Sequence, residues 1–336
     1  MSSHFDYNNV NLIPQKCIVS SRSECDTSLE FGNHTFKLPI VPANMECVIN
    51  ENLAEELAKR GYFYIIHRFN VDIPKFIKHM KEKDLIASIS LGVNDDSYEL
   101  LENLKSFNLI PDYITIDIAH GHSIKMEKMI KYIRDDNLLK NIFIIAGNVS
   151  TTDATNDLIE WGANAIKVGI GPGYACTTYP CTGFGSRGIQ ASTVKLCADY
   201  IIQNNLKAHI IADGGVTEIA DITKSIVLGA SMVMIGGMLA GFDESPGKII
   251  TGTDGKMYQQ YYGSASEFSI GTDGKTKNKH IEGTCKLIPY KNQSIFDYLY
   301  HIKQCLQSSI SYGGGTSLKS LREVRYILKN NLINKY

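Results

Sequence analysis

The 336-residue chain has no apolar run near the ~18 residues that a membrane-spanning helix requires. The stretch from Met1 to Val10 has neither the basic start nor the apolar core of a secretion signal. Neither sign of charge is in excess. The 34 basic and 35 acidic side chains leave a net charge of −1, so no general field draws in nucleic acid or an anionic membrane. Any anion this protein binds must be held by a local site. Cysteine is sparse for the length, with eight residues and no C-x-x-C pair. That excludes a disulfide scaffold, argues against a zinc ribbon, and predicts reduced thiols in a cytoplasmic protein, where a special cysteine is chemical rather than structural. Apolar residues at 43% and charged residues at 21% exclude disorder, a collagen-like repeat and a coiled coil. The length suits one large domain or two modest ones.

What the chain does have is a recurring strand that ends in a small or polar residue. Runs begin at Leu38, Tyr62, Ile86, Tyr113, Ile142, Ala165, His209 and Met232, and each closes on Gly, Asn, Asp or His. Nearly continuous apolar runs of this kind indicate strands buried on both faces of a parallel sheet. Helical patterns lie between them, such as 51–60 and 219–228, with Gly61 and Gly229 where C-terminal caps belong. Most strand starts are 23 to 29 residues apart, the length of a βα unit. Eight such units predict a single α/β domain over 1–336, a (β/α)8 TIM barrel; a doubly wound sheet is the alternative.

Two intervals are longer than a connection needs, and such loops are usually functional. One is the sixth βα loop, 172–190; the other is an insertion after the eighth strand, 241–292, opening on a hairpin turn at Thr253 to Lys256. The seventh strand ends in Asp213, Gly214 and Gly215, and the eighth in Gly236 and Gly237. Backbone there suits a phosphate and Asp213 a ribose diol, although glycines at strand ends also simply turn the chain. Gly169, Gly171 and Gly173 have the wrong spacing for a dinucleotide fingerprint, and Pro172 blocks helix entry. Carbonyls of that loop suit a monovalent cation. Cys176 follows in the flexible glycine-rich loop, as a nucleophile or as an inert thiol. Asp117, His120 and His122 at the fourth strand's end read either as a metal set or as the lining of a polar pocket.

The stretches 169–178, 212–215 and 234–238, taken in order with 21–26, 42–45, 116–122, 146–149 and 307–312, resemble the IMP dehydrogenase/GMP reductase family over nearly the whole chain. Family dehydrogenases usually insert CBS modules after the second strand, and the passage from His67 to Ile73 leaves no room for them. Dehydrogenases also carry an Arg-Tyr pair in a flap that activates water, and Ser269 to Leu287 contains neither residue. The resemblance therefore implies the family's reductive branch, with a dehydrogenase lacking the insert and a nucleotide-sensing barrel as the alternatives. It implies irreversible, NADPH-dependent reductive deamination of GMP to IMP and ammonia, in purine salvage and interconversion.

By the same resemblance, Cys176 attacks purine C2 to give a thioimidate, with Thr178 and Glu282 handling the proton. Asp213, Gly214, Gly215, Gly236, Gly237, Tyr262, Gly263, Ser264, Lys279 and Gly283 would bind the nucleotide. For NADPH the matching positions are Arg68, Asp117, Ile118, Ala119, Ile170, Gly171, Ser308, Ser309, Ile310 and Ser311. Ser21 and Arg22 would reach the cofactor of a neighbouring subunit, which implies a homotetramer. Gly171, Gly173 and Cys176 match a potassium site built of backbone carbonyls. Three positions depart from the family pattern: Tyr174 replaces a serine, Tyr179 replaces an arginine, and Arg68 replaces a lysine.

Overall fold

A computed structural model describes residues 4–263 and 283–329. Seven parallel strands form its central sheet: β1 (Ile40–Pro42), β2 (Ser88–Leu91), β3 (Tyr113–Asp117), β4 (Phe143–Val149), β5 (Ala165–Val168), β6 (His209–Asp213) and β7 (Met232–Ile235). From β2 to β7 each strand lies beside its sequence neighbour, and β1 pairs with β7, so the sheet curls round on itself. A doubly wound sheet would reverse its strand order near the middle, and this sheet does not. The architecture is TIM-barrel-like.

The expected strand at 62–67 pairs only through a single parallel bridge, Ile66 to Ile89. A side chain stands where the ladder would continue. The Tyr64 hydroxyl donates to the Ile86 carbonyl at 2.7 Å and accepts the Ser88 N–H at 3.2 Å, satisfying backbone groups that a neighbouring strand would otherwise take. The segment nevertheless behaves as a stave. Phe63 and Ile65 join the interior cluster, whereas Tyr64 and Ile66 join the outer one. Tyr64→Phe should strand those two buried groups and cost about 1–3 kcal/mol. A lower midpoint in urea with an unchanged slope is the expected measurement, and an unchanged midpoint would mean water replaces the hydroxyl.

Strand alternation sorts every residue to one face. Outward-facing Ile114, Ile116, Ile144, Ile166, Val168, Ile210 and Val233 pack under the surrounding helices in one large core. Helix Glu51–Lys59 is typical of that layer: Asn50 caps it by accepting the Leu53 N–H at 2.9 Å, and Leu53, Ala54 and Leu57 are its buried face. Inward-facing Val41, Tyr113, Ile145, Ala165, Ile211, Met232 and Met234 fill the barrel. Its N-terminal end is plugged by Phe31 and Phe36 of the hairpin Leu29–Phe31/His34–Phe36, whose rings lie 5.2 Å and 5.0 Å from that of Phe63.

The insertion after β7 contains the expected hairpin. β8 (Ile249–Thr251), β9 (Met257–Tyr262) and β10 (Cys285–Pro289) form a three-stranded antiparallel sheet, with the Thr253–Lys256 turn between β8 and β9. Helix Ile295–Tyr312 then returns the chain to the barrel wall.

Candidate active site

The same alternation decides what meets at the C-terminal end of the barrel. Continuing inward from Tyr113, Ala165 and Ile211 by steps of two gives Thr115 and Asp117, Lys167, and Asp213. Apolar filling thus ends in a charged layer. Lys167, 2% exposed, holds Asp117 at 3.1 Å and Asp213 at 3.2 Å. Asn44 donates at 2.7 Å to the Asp117 oxygen that Lys167 also holds, and Asn148 donates to Asp213 at 2.6 Å and to the Gly169 carbonyl at 2.7 Å. Burial by itself pushes Asp117 up, but the Lys167 ammonium and the Asn44 amide outweigh it and hold the carboxyl below its usual range. Burial likewise opposes the charge on Lys167, and the two aspartates more than offset it, raising its proton affinity. Gly147 makes room for this lysine, since a Cβ there would lie 2.5 Å from the Lys167 Cβ.

Above this layer opens a cleft of about 270 Å³, and the long loop after β5 forms one wall. The glycine-rich loop is anchored at its ends by polar side chains. Its far end carries Ser186 and Gln190, both fully buried. Gln190 donates to the carbonyls of Val168 at 2.8 Å and Asp213 at 3.2 Å, and Ser186 donates to the Gln190 side chain at 2.6 Å. Ser186 also exchanges backbone and side-chain bonds with Ile170, so both ends of the loop are clamped to the barrel. Cys176 sits in the cleft wall with its sulfur 3.2 Å from the Thr178 hydroxyl. Gly283 bridges to Cys176, and the Thr284 N–H donates to the Ala175 carbonyl at 3.0 Å. The returning end of the insertion is thereby stitched to the cysteine loop.

Most of the expected site converges here. Arg68, Asp117, Ile118, Ala119, Ile170, Gly171, Gly173, Cys176, Thr178, Asp213 and Gly263 all line the cleft. Gly214, Gly215, Gly236 and Gly237 line an adjoining recess of about 390 Å³, joined to the cleft through Gly173, Met234 and Tyr261. Gly214 and Gly215 have φ of +79° and +76°, and a Cβ at either would press on Pro172 at 3.2 Å, so glycine is required by backbone and space together. Tyr261, rather than the expected Tyr262, lines both cavities. Ser264, Lys279 and Glu282 lie outside the described residues.

A second group assembles elsewhere on the same chain. Ser21 caps a short turn, Arg22 donates to Ser308 at 2.9 Å, Ser309 accepts from Thr223 at 2.9 Å, and Ser311 lies 3.2 Å from the Cys17 sulfur. The Ile310 side chain is in the core, leaving only its backbone to offer a ligand. This group lies apart from the cleft wall. The metal reading of the fourth strand end loses its support. Asp117 is taken by Lys167, His122 pairs with Asp157 at 2.7 Å, and His120 stands exposed outside the cleft wall. Among the described residues no group of three or more His, Cys, Asp or Glu could hold a metal ion, and no helix is long and apolar enough to cross a membrane.

The family model described as the IMP dehydrogenase / GMP reductase domain matches residues 4–333. The chain belongs to this family. It is 52% identical over 324 residues to a protein named GMP reductase in Mycoplasma mycoides, covering 96% of this chain and 97% of that one. It is 49% identical over 336 residues to a GMP reductase of Bacillus subtilis, covering 99% of each chain. A third relative of that name, from Albidiferax ferrireducens, is 50% identical over 323 residues and covers 96% of this chain and 95% of its own.

Proposed function

We propose that this chain reduces GMP to IMP and ammonia with NADPH, irreversibly, in purine nucleotide interconversion in the cytoplasm. The observation that carries the reading is a cysteine beside a threonine hydroxyl in a cleft that opens directly onto a glycine-lined recess. Relatives about half identical over nearly the full length bear the name of that activity.

Cys176 adds to purine C2 of a nucleotide whose phosphate rests against Gly214, Gly215, Gly236 and Gly237. Ammonia leaves, and the sulfur stays bound to C2 as a thioimidate. Splitting the substitution in this way replaces one difficult step with two easier ones. Amino nitrogen is a poor leaving group and needs a proton, which Thr178 relays from Glu282. The bridge between Cys176 and Gly283, the residue after Glu282, supports that pairing. Asp213, held by Lys167 and Asn148, accepts from the ribose hydroxyls. Tyr262, Gly263, Ser264, Lys279 and Gly283 complete the nucleotide site.

The reduced dinucleotide, when bound, would supply a hydride to C2; the C2–S bond then breaks, and Cys176 leaves as a thiolate while IMP forms. Arg68, Asp117, Ile118, Ala119, Ile170 and Gly171 hold it in the cleft, where the exposed Arg68 offers a cation to a phosphate. Ser21, Arg22 and Ser308 to Ser311 meet it from a neighbouring subunit of a homotetramer, a role compatible with their position outside the cleft of their own chain. Gly171, Gly173 and Cys176 offer neutral carbonyl oxygens, a donor set suited to potassium. The Gly173 carbonyl already accepts the Cys176 N–H at 3.1 Å, which leaves it one lone pair for an ion.

One assay tests the reading. Purified protein should consume the absorbance of NADPH when GMP is added and release one ammonia per nucleotide. IMP with NAD should yield no XMP, since Ser269 to Leu287 holds no Arg-Tyr pair. XMP formation would assign the hydrolytic branch instead, and silence in both directions would indicate a nucleotide sensor.

A further inference from the structure

We infer that Lys291 is a binding residue for the 5′-phosphate of the nucleotide, the cation that faces the dianion in the glycine-lined recess. The inference rests on the reading of that recess as the phosphate site. The recess wall runs from Gly214 and Gly215 through Gly236 and Gly237 to Lys291 and Tyr298, and among the described residues Lys291 is its only ammonium. The backbone of Lys291 is fixed by its N–H, which donates to the Gly241 carbonyl at 2.7 Å. Its Nζ donates to the Met238 carbonyl at 3.1 Å, one residue beyond Gly237, and lies 3.8 Å from the centre of the Phe242 ring and 5.5 Å from that of Tyr298.

These contacts orient the ammonium but do not neutralise it. Among the described residues it forms no ion pair, whereas the nearby Glu244 is occupied by Ser294 and the Ile295 N–H, and Asp243 by Tyr290. Loss of solvation against the Phe242 face pulls its proton affinity down to about 8, as expected for a cation without a counter-charge. A dianion in the recess would supply that counter-charge. Backbone N–H groups alone bring dipoles to a phosphate; an ammonium adds the charge. Lys291 therefore contributes to the preference for a nucleotide over its nucleoside and takes no part in the steps at C2.

The test compares GMP with guanosine, which lacks the phosphate. Affinities are measured by calorimetry on the intact protein, with Lys291→Met and Lys291→Arg beside the parent. Methionine keeps the packing on Phe242 and removes the charge. Lys291→Met should weaken GMP by roughly tenfold to a hundredfold, the range of a lost charge-assisted hydrogen bond, and leave guanosine within about twofold. Lys291→Arg should recover most of the loss, and kcat at saturating GMP should change little. Equal weakening of both ligands would overturn the inference, making Lys291 a strut for the Met238 turn. Unchanged GMP affinity in Lys291→Met would also overturn it, and a retained preference for GMP over guanosine would then leave the recess reading intact. If the parent protein binds GMP and guanosine equally, the recess reading itself fails, and the inference with it.

Discussion

Cys176→Ala should lose turnover by at least about 10⁴-fold, while its affinity for GMP stays within a few-fold of the parent's. Both halves follow from where the cysteine stands. The sulfur hydrogen-bonds the Thr178 hydroxyl at 3.2 Å, and among the described residues Cys176 is the one thiol lining the cleft. Covalent enzymes stripped of their nucleophile commonly fall to a residual rate set by binding and electrostatics alone. On the proposed reading the phosphate and ribose rest on the recess glycines and Asp213, which belong to β6, β7 and the turns that follow them. Those contacts survive the substitution. Cys181→Ala is the control, because Cys181 is exposed in the short helix Thr178–Thr182 and should cost little. The measurements are steady-state NADPH consumption and calorimetry with GMP. Activity of a few per cent in Cys176→Ala would remove the cysteine from its assigned role. A parallel loss of GMP affinity would instead assign it to binding.

The sequence carried the fold because the strands are buried on both faces and read as nearly continuous apolar runs. Their small or polar endings marked the end of the barrel where the cleft opens: Asp117, Gly171 and Asp213 all line it. The run at 62–67 was misleading for a local reason. Its apolar pattern is that of a strand, but Tyr64 inserts a hydroxyl where a ladder bond would form, and no propensity signals that. Gln190 and Ser186 were equally hidden, since a polar residue at a helix start reads as solvated until the loop it clamps is seen. Lys167 was legible and missed. It is the one charge within Ala165–Val168, a strand whose four residues are all buried, and a lone lysine there needs acid partners from neighbouring strands. Asn44 and Asn148, each closing an apolar run, are the matching hydrogen-bond donors to those acids. The separation of Arg22 and Ser308 from the cleft has no signal in one chain's periodicity.

Lys167→Met should have the largest effect on stability of any single change in the site. The substitution nearly conserves volume, so packing contributes little of the loss. What remains is a pair of carboxylates, 27% and 18% exposed, facing each other without the ammonium that lay 3.1 Å and 3.2 Å from them. Removing one partner from a buried ion cluster costs about 3–5 kcal/mol, because the remaining charges are left uncompensated. The direction with pH follows from Asp117. Its carboxyl is held below the usual range in the parent, so the stability it contributes is present at neutral pH and is lost as pH falls through its folded-state value. Without Lys167 the same carboxyl loses its main cation, and the variant should gain relative stability in acid, where protonation relieves the repulsion. Urea unfolding at neutral and mildly acidic pH measures this directly, and the gap between parent and variant should narrow at the lower pH. A gap independent of pH would mean the lysine acts through packing rather than charge. Lys167→Met combined with Asp117→Asn and Asp213→Asn separates folding from chemistry. The neutral set should recover most of the lost stability, yet stay nearly inactive, because Asp213 no longer presents a carboxylate to the ribose. Recovery of activity along with stability would mean that the charged layer serves the fold alone.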